Sequence, residues 1–430
     1  RFPTDYPIRG YIYDRKGKLL LYNEAAYDLM VTPKQVTKEL DTNDLCSLLG
    51  ISKETFLKKI EKARQAPNSP RKPSIFEKQI SAKTYAALQE KLYKFHGFFV
   101  QSRTLRKYPQ NTAAHLLGYI GEVNKNITDK DPYYKDGDYI GISGIEKAYE
   151  KELRGIKGKK VIMVDVHNRE KGSFENGKYD TLAISGQNLT SSLDAEMQLY
   201  GEQLMQNKIG GICAIDPSTG EVLALVTSPS YDPNLLVGRS RSTNYSLLAR
   251  DTIGVPLFNR ALMAYYPPGS TFKLINALIG QQEGILFPET RYPCARGYPV
   301  MGGRPACHAH SSPLDLMGSV QHSCNSYYAF TFRSIIDNKK YRTTEEGYKA
   351  WREYVLSFGV GKKINSDLPQ ELKGFVPTVE YYDKYFGKNQ WKSSTIVSLS
   401  IGQGELGVTP LQMANIMATI ANRGYYYIPH

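Results

Sequence analysis

Ser270 and Lys273 lie three residues apart in YYPPGSTFKLINALIG (265–280), at the mouth of an otherwise apolar segment. Pro267-Pro268-Gly269 breaks the chain before them, and Phe272, Leu274, Ile275, Ala277, Leu278 and Ile279 carry a predicted helix to Gly280. Positions i and i+3 share a helix face with Cβ atoms ~5–6 Å apart, so the lysine amine can reach the serine hydroxyl. Desolvation disfavours an ammonium group, so a lysine among apolar neighbours tends to lose its proton. A neutral amine beside a hydroxyl is a general base beside a nucleophile, and a helix N-terminus favours developing negative charge. Taken alone, the spacing reads by default as a capping serine and a snorkelling lysine.

The elements that must hold such a pair are legible in outline. GGICAIDPSTGEVLALVTSP predicts a hairpin, two apolar strands joined by Asp216-Pro217-Ser218-Thr219-Gly220. A strand and then a long helix are expected in LTSSLDAEMQLYGEQLM, and helices across 270–360. TIVSLSIGQGELGVTPLQMANIMATIANRG reads as strand, loop and helix, and the final YYYIPH as a strand. Upstream, RGYIYDRKGKLLLYN reads as two strands around Asp14-Arg15-Lys16-Gly17. Helices are expected over 52–65, in SAKTYAALQEKLYKF behind a serine cap, and in SGIEKAYEKELRG up to Gly155. A proline-rich linker, QAPNSPRKPS, separates the first two. Helical runs flanked by hairpins indicate an α+β fold, with no internal repeat.

A length of 430 residues allows two or three domains, and 41% apolar with 23% charged residues is ordinary for a folded protein. The net charge of +13, from 55 Lys+Arg against 42 Asp+Glu, favours an acidic polymer or an anionic surface. No nucleic-acid-binding motif accompanies it, so no nucleic-acid partner is expected. No stretch approaches the ~20 apolar residues that span a bilayer. GQGELG (402–407) matches G-x-G-x-x-G, but no Asp or Glu follows Glu405, and a ribose would require one. A tight loop near the Ser270 site is the expected use of these glycines.

A second element lies 53 residues after Ser270: Ser323-Cys324-Asn325, in VQHSCNSYYAF. Following S-x-x-K, it resembles the second motif of the penicillin-recognising serine acyltransferases. There the serine relays a proton between lysine and leaving group, and the asparagine orients the lysine and the substrate amide. DPSTGEVLALVTSPSYDPN (216–234), FNRALMAYYPPGSTFK (258–273) and IGQGELGVTPLQMA (401–414) resemble the transpeptidase domain of class B penicillin-binding proteins. RGYIYDRKGKLLLYN (9–23), YPQNTAAHLLGYIGEV (108–123) and GISGIEKAYEKELRG (141–155) resemble the non-catalytic pedestal of the elongation type, penicillin-binding protein 2.

The resemblance implies an elongated mixed α/β pedestal over 1–185, of the dimerisation or partner-binding type. It implies a transpeptidase domain over 186–430 with a central antiparallel sheet covered by helices. The family's third motif, Lys-(Thr/Ser)-Gly, does not occur in this sequence and is expected beyond His430. The implied activity is peptidoglycan D,D-transpeptidation: Ser270 attacks, Lys273 is the base, Ser323 relays the proton and Asn325 positions. Stem peptides and β-lactams are the implied ligands. A membrane glycosyltransferase and an elongation-complex scaffold are the implied partners. The implied location is the bacterial inner membrane, with the catalytic part in the periplasm and an anchor before Arg1. Two rivals stand beside this reading: a non-catalytic β-lactam-binding sensor or scaffold, and a β-lactamase, for which no deacylating base is identifiable.

Three of the five cysteines cluster as Cys294-x12-Cys307-x2-His310-x13-Cys324, with His308 and His322 nearby. Thiolates and imidazoles in fours suit a closed tetrahedral zinc site, which is structural. Part of the elongation class carries a zinc here, with a ligand from the middle residue of the second motif; in this chain that is Cys324. The alternative is a Cys294–Cys307 disulfide with Cys324 packed as a small apolar group. His308 and His310 are competing ligands, and Cys46 and Cys213 read as buried residues.

Overall fold

The structure, a computed structural model, describes residues 4–37, 39–66, 68–165 and 170–430; Pro67 of the proline-rich linker lies outside them. The chain divides into two compact units, Arg1–Leu199 with Ser230–Leu257, and Tyr200–Pro229 with Phe258–His430.

The first unit is organised by one long strand, Leu19–Val31. It turns back antiparallel on Ile12–Tyr13 across the predicted turn, where Gly17 takes φ +81°. It also pairs antiparallel with Ser74–Ile80 and Phe98–Lys107. Leu29, Val31, Leu45, Phe56, Phe76, Leu88, Phe95 and Phe98 form its core. Helices Lys53–Arg64 and Ala82–Lys91 start at Ser52 and Ser81, whose hydroxyls accept from the N–H three residues on. The helix predicted through SGIEKAYEKELRG is instead broken at Tyr149, into Gly144–Ala148 and Glu150–Arg154. There the Glu150 carboxylate takes the Gly141 N–H and the Tyr134 hydroxyl, each at 2.8 Å, and these tertiary partners outweigh helix continuity.

Beside that break lies a buried ionic network. Arg9 Nε donates to Glu146 at 2.7 Å and its Nη2 to Glu150 at 2.5 Å, while Arg106 Nε donates to the other Glu146 oxygen at 2.6 Å. Burial works against the Glu146 charge, but the two guanidinium groups hold its carboxyl below the usual range.

In the second unit the predicted hairpin forms between Gly210–Ile215 and Val222–Ser228, with Gly220 at φ +88° in its turn. Helices Lys273–Gln282, Asn325–Ile336, Thr344–Ser357 and Pro410–Ala421 accompany it, which makes the fold α+β. Phe272, Ile275, Ile279, Phe332, Trp351, Val355, Leu399, Val408 and Ile416 share one core. Thr409 and Gln412 close a capping box at the last helix, where the Thr-Pro pair predicts its start. Val397–Ile401, read as a strand, is a 3-10 helix, because Gly402 at φ +68° turns its N–H back onto the Leu399 and Ser398 carbonyls. The final residues form no strand, yet His430 exchanges backbone hydrogen bonds with Gly220 and Val222. Among the described residues, no helix is long and apolar enough to cross a membrane.

Candidate active site

Ser270 sits, exposed, on a 3-10 turn, Gly269–Phe272, that runs directly into helix Lys273–Gln282. Gly269 at φ +63° makes the entry turn, and Phe272 anchors it edge-on to Trp351 with ring centroids 6.2 Å apart. Lys273 is 3% exposed. Its Nζ donates to the Ser323 carbonyl at 2.7 Å, to Ser323 Oγ at 2.9 Å and to Asn325 Oδ1 at 2.6 Å. Burial pulls its pKa down to about 8. The structure thus joins three of the four predicted residues. Ser270 stands one turn before Lys273, whose backbone N–H reaches the Ser270 carbonyl, with no side-chain hydrogen bond between the two among the described residues.

Ser323 reaches Lys273 with both its carbonyl and its hydroxyl because its backbone is left-handed, at φ +47°. Such a conformation costs a non-glycine residue about 1–3 kcal/mol and persists only where its surroundings enforce it. Cys324, buried, caps helix Asn325–Ile336, its sulfur accepting from the Tyr327 N–H at 3.4 Å. Asn325 faces two ways: Oδ1 toward Lys273, and Nδ2 to the Ala306 carbonyl at 2.6 Å.

The cysteine cluster assembles beside this turn. The candidate ligand atoms of Cys294, Cys307, His310 and Cys324 all lie within 4.8 Å of one another, and these cysteines are free thiols rather than a disulfide. Four ligands at the ~2.0–2.3 Å zinc distances would lie ~3.5–4 Å apart, so the set fits after a small contraction. His310 Nδ1 lies 2.7 Å from the Ser311 carbonyl, an arrangement that leaves Nε2, 3.3 Å from Cys307 Sγ, free to ligate. Burial raises the Cys307 thiol, but hydrogen bonds from the Asn325 N–H, His310 and Cys294 bring it below its ordinary value. Burial pushes Cys324 up to about 12. His308 packs its ring on His310 instead of joining the set. Cys46 is buried; Cys213 lies half-buried in the hairpin strand.

The glycines of GQGELG form a loop that backs the Ser270 turn. Gly402 accepts from the Gly269 N–H at 2.9 Å, and a Cβ on Gly402 would fall 2.2 Å from the Gly269 carbonyl oxygen. Sequence reasoning missed two further residues. Tyr328 places its ring centroid 5.7 Å from Lys273 Nζ, and Asn276 is fully buried one turn after the lysine. A polar residue in an apolar helix was the signal available for Asn276.

A buried lysine beside an S-x-N turn, with a serine one turn earlier, is the arrangement of a serine acyltransferase. The chain belongs to the penicillin-binding protein transpeptidase family: residues 210–430 match the penicillin-binding protein transpeptidase domain, and residues 4–191 the penicillin-binding protein dimerisation domain. It is 34% identical over 438 residues to the peptidoglycan D,D-transpeptidase MrdA of Acinetobacter baumannii, covering 99% of this chain and 62% of that protein. It is 30% identical over 441 residues to MrdA of Escherichia coli K12, covering 99% and 66%. The Helicobacter pylori penicillin-binding protein 2 in its complex with MreC superposes with a TM-score of 0.80 at 27% identity, over 100% of this chain and 78% of that one. Pseudomonas aeruginosa penicillin-binding protein 2 in complex with WCK 5153 gives 0.68 at 26%, over 100% and 72%. The chain spans 62% of the length of the A. baumannii relative.

Proposed function

We propose that this chain is the pedestal and much of the catalytic domain of an elongation-type peptidoglycan D,D-transpeptidase. The three-point seating of a buried lysine on Ser323 and Asn325 carries the reading. Ser270 Oγ attacks the penultimate D-alanine carbonyl of a stem peptide, and its proton passes to Lys273 Nζ. Ser323 Oγ hands a proton to the departing D-alanine amine, whose C–N bond breaks to leave the acyl-enzyme. Asn325 holds the lysine and offers its amide to the substrate. An amine from a neighbouring strand then takes the acyl group and releases Ser270. β-Lactams acylate the same serine.

Cys294, Cys307, Cys324 and His310 would hold a structural zinc, which supplies a rigid cross-link between loop and second motif. The word peptidoglycan in the relatives' names supports action at the bacterial cell wall; a periplasmic catalytic part on an anchored protein rests on the family resemblance. The MreC complex of the H. pylori neighbour supports an elongation-complex partner for this chain; a membrane glycosyltransferase partner rests on the family resemblance alone.

The test has two arms on full-length protein. Labelled penicillin followed by peptide mapping should place the adduct on Ser270, and Ser270→Ala should abolish it. Stem-peptide cross-linking should depend on the same serine; an adduct without cross-linking would make the protein a sensor, and rapid hydrolysis of the adduct a β-lactamase.

A further inference from the structure

We infer that Asn276 is a positioning residue for the Ser270 turn, acting through Val397–Ile401 and Gly402, a role that rests on Ser270 being the nucleophile. Asn276 lies on helix Lys273–Gln282 and is 0% exposed. Both of its side-chain polar atoms are engaged. Nδ2 donates to the Ser400 carbonyl at 3.0 Å and, less closely, to Leu399 at 3.4 Å, while Oδ1 accepts from Trp351 Nε1 at 2.8 Å.

Ser400 lies in the last turn of a 3-10 helix, where carbonyls lack helical partners, whereas the Leu399 carbonyl also takes the Gly402 N–H. The asparagine supplies the Ser400 carbonyl with a partner from inside the helix that carries Lys273. Gly402 follows directly, in backbone contact with Gly269, which precedes Ser270. One side chain therefore ties the helix of the base to the loop behind the nucleophile. A buried amide is costly unless satisfied, and an apolar residue would fill this core position at lower risk. Its presence beside Ile275, Ile279 and Phe332 is explained by the elements it registers. Asn276 touches no reacting atom; it acts by fixing where Ser270 stands relative to Lys273.

The experiment compares Asn276→Leu with Val355→Ala, a substitution in the same core whose side chain makes no hydrogen bond to either backbone. In full-length protein, stopped-flow with a fluorescent penicillin separates non-covalent affinity from the acylation rate constant, alongside thermal unfolding. Misplacing a reacting group by about 1 Å costs roughly 100-fold. The expected result is acylation slowed roughly 10- to 100-fold in Asn276→Leu with non-covalent affinity unchanged. Val355→Ala should acylate at the wild-type rate at a similar loss of melting temperature. Asn276→Ser, which keeps a small polar side chain, serves in the same comparison if the leucine variant does not fold. Wild-type acylation in both variants, or equal slowing by Val355→Ala, overturns the role. Failure of the wild type itself to label at Ser270 overturns the nucleophile assignment instead.

Discussion

Asn325 Nδ2 donates to the carbonyl of Ala306 at 2.6 Å, so the side chain that holds Lys273 is itself held by the cysteine-bearing loop. The cysteine–histidine cluster and the proposed catalytic residues are therefore mechanically one object. Elemental analysis of reduced, chelator-free protein should find about one zinc per chain, the content of a closed four-ligand site. Stripping it, or Cys307→Ala, should lower the melting temperature and slow acylation by about tenfold through loss of Asn325 placement. Unchanged acylation after complete metal removal would disconnect the two.

The pKa of about 8 at Lys273 fixes the direction of a pH effect. As the proposed base, Lys273 would work as the neutral amine. Acylation should rise with pH, about tenfold per unit below the midpoint, and level off above pH ~8. Lys273→Arg should remove that limb along with activity, because a guanidinium does not deprotonate in this range. Rate–pH profiles with a fluorescent penicillin decide it.

Gly402 has no room for a side chain. Its φ of +68° and the 2.2 Å approach of a Cβ to the Gly269 carbonyl both act against Gly402→Ala. The variant should lose about 2–4 kcal/mol in denaturant unfolding, the scale of a strained backbone plus a forced contact. Residual folded protein should label poorly at Ser270.

Glu146→Gln tests the first unit. Arg9 and Arg106, 8% and 1% exposed, would lose their shared carboxylate, and breaking such a buried pair costs ~3–5 kcal/mol. Because the folded Glu146 carboxyl lies below its usual value, its stabilisation is present above pH ~4.3 and is lost as pH falls through the folded value. Urea midpoints of wild type and variant should converge at acid pH.

The placement of Ser270 one turn before Lys273 was legible because the spacing is local, and the turn residues of the hairpin announced themselves. What escaped was decided by remote partners. Asn276 meets Trp351 and Ser400, 75 and 124 residues away, and no window of sequence shows that meeting. The apolar run before Gly402 reads as a strand until the left-handed glycine folds it back. Tyr149 sits in a good helical pattern, and its break is set by Glu150 finding partners elsewhere. The choice of His310 over His308 came from loop geometry that spacing alone does not give.

The seating of Lys273 also sets which way a hydroxyl points. An ammonium has three hydrogens for its three oxygen neighbours; once neutral, it has two, and a lone pair that needs a donor. Of those neighbours, the Ser323 carbonyl and the Asn325 amide oxygen have nothing to give. Only the Ser323 hydroxyl can swivel and point its hydrogen at the nitrogen. Each change of charge on the lysine thus resets the Ser323 hydroxyl, a latch with a single movable part on the proposed path by which a proton leaves the site.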